Sequence, residues 1–259
     1  MTHAPLPRWA AASGWQSHPV PGRLIAHLRP APPTPSDLEP ALAASWQRAQ
    51  EARGGRLFDG QVFSADEITA EGLFGHFASY RAIIAQIDEP ALYPRLRLRP
   101  LAVCGLVRSA SGILLGRRAP HMGYQPGLWQ LPPAGSVDPS GFAEGEADLV
   151  QHFWREIEEE LGLGPADVAT LRPCGLLEHP ESHILDLFFL AETTLSGETL
   201  RARQAARGND EYDRLEIVPE TSLPAWIEAH RGELAPQTLI FLAFAGLGPL
   251  PEPPRSAAC

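Results

Sequence analysis

Arg155-Glu156-Ile157-Glu158-Glu159-Glu160-Leu161-Gly162-Leu163 is the stretch around which the rest of the chain is organised. Upstream, Asp148, Leu149, Val150, His152, Phe153 and Trp154 lead into it without proline or glycine, and Leu149, Phe153, Ile157 and Leu161 recur every fourth residue. That recurrence predicts one buried face of a helix, and Gly162 supplies a C-cap. Residues three and four apart share a helix face, so Glu156, Glu159 and Glu160 are expected to form one carboxylate cluster off the apolar stripe. Like charges this close weaken a helix by roughly a few tenths of a kcal/mol per pair, and a counter-charge is expected to offset them. Mg²⁺ suits the task, because it takes one or two carboxylates and completes its shell with water and substrate phosphates. The cluster therefore points to phosphate chemistry, although on composition alone the same run equally describes a solvated helix face.

The order Arg-Glu-apolar-x-Glu-Glu-x-Gly-apolar is matched at every position from Arg155 to Leu163, and the stretch resembles the Nudix box. Counting back along the family's longer pattern places Gly141 on its glycine and Ala147 where its first glutamate belongs. By resemblance, Glu159 and Glu160 are metal ligands, Glu156 is a metal ligand or the base that activates water, and Arg155 orients the glutamates. Ala147 leaves the number of metals open, with Glu144 or Glu146 as substitutes for the missing ligand. The implied cofactor is Mg²⁺, with Mn²⁺ as the alternative.

The whole chain sets bounds on this reading. Its 259 residues, 44% hydrophobic, suffice for one sizeable core with an appended segment, or for two small domains. A net charge of −10 argues against nucleic acid as the main partner, since that binding needs clustered cations. Cys104, Cys174 and Cys259 are far apart and form no Cys-x-x-Cys pair, which indicates neither a disulfide framework nor a zinc site and fits the cytoplasm. His152, His179 and His183 have no ligand spacing and read as surface or core histidines. Residues 1–20 do not look like a secretory signal, and the longest apolar run, Leu239 to Leu247, is too short to span a bilayer. No membrane partner is expected.

Along the chain, residues 1–35 and 249–259 are proline-rich and read as loose tails. Ser36-Asp37-Leu38-Glu39 reads as a capping box opening a helix that carries Leu42, Trp46 and Ala49 and stops at Gly54-Gly55. Asp59-Gly60 signals a hairpin turn between Arg56-Leu57-Phe58 and Gln61-Val62-Phe63. A strand near Leu73 and a helix from Tyr80 complete a small α+β extension over 36–98. From 99 to 248 the pattern is that of a sheet with helices: strands at Leu101 and Ile113, a loop through Ala134-Gly135, the acidic helix, strands near Val168 and His183, a helix at Glu198, a strand at Leu215 and two closing helices. Asp186 stands inside the apolar run Leu185 to Leu190, where a carboxylate is costly unless paired or metal-bound. The expected fold is α/β, a Nudix-type α/β/α sandwich with a mixed sheet, preceded by the extension, which packs on it and helps shape the substrate site.

The implied reaction is hydrolysis of the pyrophosphate bond of a nucleoside diphosphate joined to another group, with Glu156 or the loop residue Glu211 taking the proton from water. The resemblance widens through Trp46-Gln47-Arg48, Leu57-Phe58-Asp59-Gly60 with Phe63, and Ser79-Tyr80-Arg81, which resemble the amino-terminal part of the UDP-sugar-hydrolysing Nudix proteins. It implies UDP-glucose or UDP-galactose as substrate, with UMP and a sugar 1-phosphate as products. ADP-ribose or another nucleoside diphosphate derivative is the alternative substrate, and a Nudix-fold module that binds a nucleotide without cleaving it is the alternative class.

Overall fold

In the computed structural model, which describes residues 6–52 and 54–247, the chain runs through α1 (Arg8–Ala12), β1 (Gln16–His18), β2 (Ile25–Leu28), α2 (Glu39–Ala52), β3 (Gln61–Ile68), β4 (Leu73–Ser79), α3 (Tyr80–Asp88) and α4 (Tyr93–Leu96). It continues through β5 (Leu101–Ser109), β6 (Gly112–Arg118), β7 (Trp129–Gln130), β8 (Ala134–Ser136), β9 (Glu146–Asp148) and α5 (Leu149–Leu161). The closing elements are β10 (Thr170–Glu178), β11 (Leu185–Glu192), α6 (Gly197–Arg207), β12 (Tyr212–Val218), α7 (Leu223–Ala229) and α8 (Thr238–Phe244). Among the described residues no helix is long and apolar enough to cross a membrane.

The larger sheet runs β1-β10-β11-β5-β6-β12, with β11 and β5 parallel and the other pairs antiparallel. Strand residues alternate between faces, and β11 shows how both are used. Leu185, Leu187, Phe189 and Ala191 share a core with Leu149, Phe153, Ile157 and Leu161 of α5. Phe188 and Leu190 point the other way, into a core with Ile240, Phe241 and Phe244 of α8. Helices thus cover both faces of a mixed sheet, as the sequence predicts. The α5 stripe is fully buried, each such side chain contributing roughly 1.5–3 kcal/mol. Asp148 caps the helix by accepting from Val150 N at 2.8 Å, and Gly162 ends it at φ 65°.

β5 and β6 pair at only two positions, Arg108 with Ile113 and Ser109 with Gly112. Beyond these the two strands part, β8 taking the free edge of β5 and β7 that of β6. The opening between them holds the candidate site.

Three sequence expectations change. Residues 6–35 are not a loose tail, since β1 pairs with β10, and β2 sits between β4 and β9 in a second sheet of order β3-β4-β2-β9. These strands are short, and their partners lie far off in sequence, so local periodicity does not show them. Residues 249–259 fall outside the described residues. The turn of the first hairpin lies at 69–72, where Thr69 N donates to Gly72 O at 2.9 Å, and not at Asp59-Gly60. Asp59 instead accepts from Arg81 N at 2.8 Å, tying the loop to the start of α3, while Phe58 is exposed. Ser36 makes no side-chain cap, because the chain enters α2 through a short 3-10 turn that follows the extended Pro35.

Candidate active site

The end of α5 meets β8. At 3.6 residues per turn, Glu156 and Glu160 point the same way, and both reach the Ala134-Gly135 backbone. The Glu156 carboxylate lies against Gly135 so closely that a Cβ there would stand 2.0 Å from its carbon. A glycine is therefore what admits this carboxylate. Glu160 is fully buried and accepts from Ala134 N at 2.8 Å and from the Tyr212 hydroxyl at 2.9 Å, and that hydroxyl in turn accepts from Gln130 Nε2 at 2.8 Å. Burial, and then the nearby charge of Glu211, push the Glu160 carboxyl well above its usual range. Glu211 is raised too, by burial first, with the Arg118 guanidinium opposing and Glu156 and Glu159 adding to the rise. Arg118 stands 3.5 Å from Glu211 and donates through Nε to Tyr124 O at 2.9 Å.

The structure therefore brings Glu156, Glu160 and Glu211 into one electrostatic neighbourhood, with Glu159 at its solvent-exposed edge, still close enough to act on Glu211. Glu160 is not off the apolar stripe, as the sequence predicts, but inside it, seven residues after the buried Phe153 and thus on the same side of the helix. Arg155 does not reach the glutamates. Its guanidinium donates to Ser140 Oγ and to His152 Nδ1, and lies against Gly141. His152 Nε2 bonds Ser136 O at 3.0 Å and stands 3.3 Å from Glu156, so Arg155 touches the cluster only through His152.

Neither substitute for the missing first glutamate approaches the site. Ala147 is buried opposite Ala26 in the small sheet, where a glutamate would have no room. Glu146 pairs with His27 at 3.1 Å, and Glu144 is at the tip of an exposed turn with φ 52°. His179 bonds Asp186 at 2.6 Å, both of them buried, and His183 bonds Glu178 at 2.7 Å. Arg118, Tyr212 and Gln130 escape the sequence reading. Nothing local in the sequence marks Arg118, Tyr212 or Gln130.

Ala134 and Gly135, which contact the Glu160 and Glu156 carboxylates, also line a cavity of about 220 Å³. Ala102 and Cys104 of β5, Gly135 of β8, and Arg118 form one side, and Tyr80 and Ile83 of the extension roof it. Asp186 lines it as well. Burial pushes the Cys104 thiol up, and the charges of Asp186, Glu160 and Glu156 push it further, so this one thiol feels both ends of the cavity.

A family model described as the NUDIX domain matches residues 98–237. The chain belongs to that family. It is accordingly a Nudix pyrophosphohydrolase, an enzyme of phosphoanhydride bonds. Among solved structures, this Nudix hydrolase is similar to the NUDIX domain of Shewanella oneidensis NrtR complexed with ADP ribose, at 15% identity and TM-score 0.40, over 56% of this chain and 85% of that one. It is also similar to a Caenorhabditis elegans Ap4A hydrolase, at 18% identity and TM-score 0.37, over 56% and 96%. A third likeness is a bifunctional NMN adenylyltransferase/ADP ribose pyrophosphatase from Francisella tularensis complexed with AMP and a manganese ion, at 15% identity and TM-score 0.40, over 65% and 49%. Among curated proteins no relative matches.

Nudix hydrolases generally use divalent metals. Among the described residues, no three His, Cys, Asp or Glu side chains converge in a ready-made metal site. The donor chemistry of this Nudix site nevertheless fits Mg²⁺, which needs only one or two carboxylates beside substrate phosphates and water. Glu156 and Glu160 offer hard oxygens, and the mutual repulsion and burial that raise Glu160 and Glu211 are what a bound cation would relieve.

Proposed function

We propose that this Nudix hydrolase splits the pyrophosphate bond of a UDP-sugar into UMP and a sugar 1-phosphate, with Mg²⁺ or Mn²⁺. The observation that carries the reading is the junction of two features: a cavity lined in part by the extension, and, against its Ala134–Gly135 wall, the Glu156 and Glu160 carboxylates with Glu211 in the same electrostatic field. The extension is where the sequence resembles UDP-sugar hydrolases, and its Tyr80 and Ile83 are cavity walls. That supports a substrate whose nucleoside half is held by the extension and whose phosphates reach the cluster. Cys104 and Cys174 are free buried thiols, which supports a reducing, cytoplasmic setting.

In this reading Glu156 and Glu160 would hold the metal ion, with Glu159 at the exposed edge of the same turn. Such an ion would supply charge neutralisation to the pyrophosphate oxygens and lower the pKa of a water. Glu211 takes the proton of the attacking water as its oxygen bonds to phosphorus and the bridging P–O bond breaks, leaving two phosphate monoesters. Arg118, the cation among the described cavity-lining residues, opposes the charge of the phosphates. Arg155 positions the loop at Ser140 and, through His152, the Glu156 carboxylate.

The test is incubation of the purified chain with UDP-glucose, UDP-galactose and ADP-ribose, with Mg²⁺ or with chelator, and identification of products by mass. UMP and a hexose 1-phosphate formed only with metal are expected. Cleavage of ADP-ribose in preference to both UDP-sugars would overturn the substrate, and survival of every compound would overturn the reaction.

A further inference from the structure

The cavity has a chemical asymmetry that the hydrolytic reaction does not use. Its lining includes Arg118 and the Gly135 that abuts the Glu156 carboxylate, and a buried carboxylate, Asp186, lines it on the β5–β11 face. Asp186 is 3% exposed, in a strand whose neighbours Leu185 and Leu187 are apolar. One of its oxygens, Oδ2, is taken by His179 Nε2 at 2.6 Å, which fixes the orientation of the carboxylate. His179 is itself buried, against Trp15 with ring centroids 4.5 Å apart. The Cys104 thiol lies beside Asp186, and the Tyr124 hydroxyl, raised by burial and then by the Asp186 charge, is in the same wall and remains a neutral donor.

We propose that Asp186, held by His179, reads the base of the substrate by accepting a hydrogen bond from a ring N–H, so that the cavity takes the keto bases uracil and guanine over adenine and cytosine. Three observations lead there. The lining combines apolar side chains, among them Val62, Ile83, Leu101 and Ile184, with a few polar ones such as Tyr124, Gln130 and Gln237. A base, with two apolar faces and one polar edge, matches that combination better than a sugar ring whose hydroxyls point outward all round. A carboxyl oxygen oriented by His179 accepts hydrogen bonds, so a ligand N–H is the group that complements it. Uracil and guanine carry an N–H within the ring at that edge. The matching ring nitrogen of adenine and cytosine is a lone-pair acceptor, so in the same pose it would face the carboxylate unpaired, and these bases would have to shift to offer their exocyclic amine instead, which a shaped, buried site penalises.

This inference rests on the cavity being the nucleoside seat of the proposed reaction, and the test separates the two. Dissociation constants of UMP, GMP, AMP and CMP are measured on the wild-type chain and on Asp186→Asn, alongside kcat/KM for UDP-, GDP-, ADP- and CDP-glucose. Wild type is expected to favour UMP or GMP over AMP and CMP by about tenfold to a hundredfold, the UMP and GMP arms showing which keto base fits. In the Asn variant the amide can turn its NH₂ toward the ring nitrogen, and the preference should shrink below about threefold or invert, with near-UV circular dichroism unchanged. Equal wild-type binding of all four mononucleotides overturns the proposal whatever the variant does. An unchanged ratio in a folded Asn variant, or an equal loss for all four, overturns it as well. Should the variant not fold, ¹⁵N-labelled UMP or GMP on the wild-type chain must show a protected, hydrogen-bonded imino proton, and its absence counts against Asp186. Selective mononucleotide binding without any hydrolysis would leave this inference standing and remove the hydrolase reading, whereas hydrolysis without base preference would do the reverse.

Discussion

Gly135→Ala should disable the enzyme while sparing its fold. The added Cβ would stand 2.0 Å from the Glu156 carboxylate carbon and from Oε2, where ordinary contact begins at 3.4 Å. The carboxylate must therefore withdraw by about 1.4 Å, the difference between those two distances. It can do so cheaply, being the far end of a flexible side chain, and an alanine in place of glycine also stiffens the unfolded chain, worth about 0.4–1 kcal/mol in favour of folding. Catalysis is less forgiving, since a misplacement on the order of 1 Å can cost about a hundredfold. The expected outcome is a kcat/KM lowered by about two orders of magnitude, with a melting temperature close to wild type. Gly164→Ala serves as the control, because a Cβ there meets nothing within 4 Å and its φ is −121°. The assay is chromatographic quantitation of nucleotide product under saturating Mg²⁺, with differential scanning fluorimetry on the same samples. Activity within about threefold of wild type would show that the position of Glu156 against Gly135 does not matter to the reaction.

Three further outcomes follow from the same geometry. Glu160→Gln should lower turnover by orders of magnitude yet leave the melting temperature unchanged or raised, because it removes a charge buried beside Glu211, while the amide oxygen can still accept from Ala134 N and the NH₂ can donate to the Tyr212 hydroxyl oxygen; a large drop in melting temperature would contradict this. Glu178, where burial pushes the pKa up but His18, His183 and Arg99 together outweigh it, has its carboxyl lowered to about 2. A depressed folded pKa stabilises above the ordinary value of 4.5 and is lost as pH falls through 2. Urea denaturation should accordingly show Glu178→Gln weaker than wild type by about 2 kcal/mol at pH 6 after allowance for solvent screening, with the gap closing as pH approaches 2, and a gap independent of pH would count against the network. Phe153→Ala should cost about 3–5 kcal/mol of stability in the same assay, since its ring fills the space between α5 and Gly105.

The acidic helix, its C-cap at Gly162, and the strands at Leu101, Ile113 and Leu185 were legible in the sequence, because helix periodicity, capping and apolar strand runs are local properties of the chain. So was the pairing of Glu156 with Glu160, which four residues of helix determine by themselves. What tertiary structure decided was the environment of each group. Glu160 became the buried member and Glu159 the exposed one because β8 and Tyr212 close over one side of α5 only. Arg155 turned toward Ser140 and His152 because the loop carrying Gly141 packs against it. Arg118 and Asp186 entered the cavity because β5 and β6 part after two pairs, a consequence of β7 and β8 claiming their edges. The strands of residues 6–35 depend in the same way on partners more than a hundred residues away in the case of β1. The sequence by itself thus determined which chemistry-bearing groups share a helix. Hydrogen-bond pairing between distant segments determined which of them are desolvated, and desolvation is what turns a carboxylate or a guanidinium into part of a site.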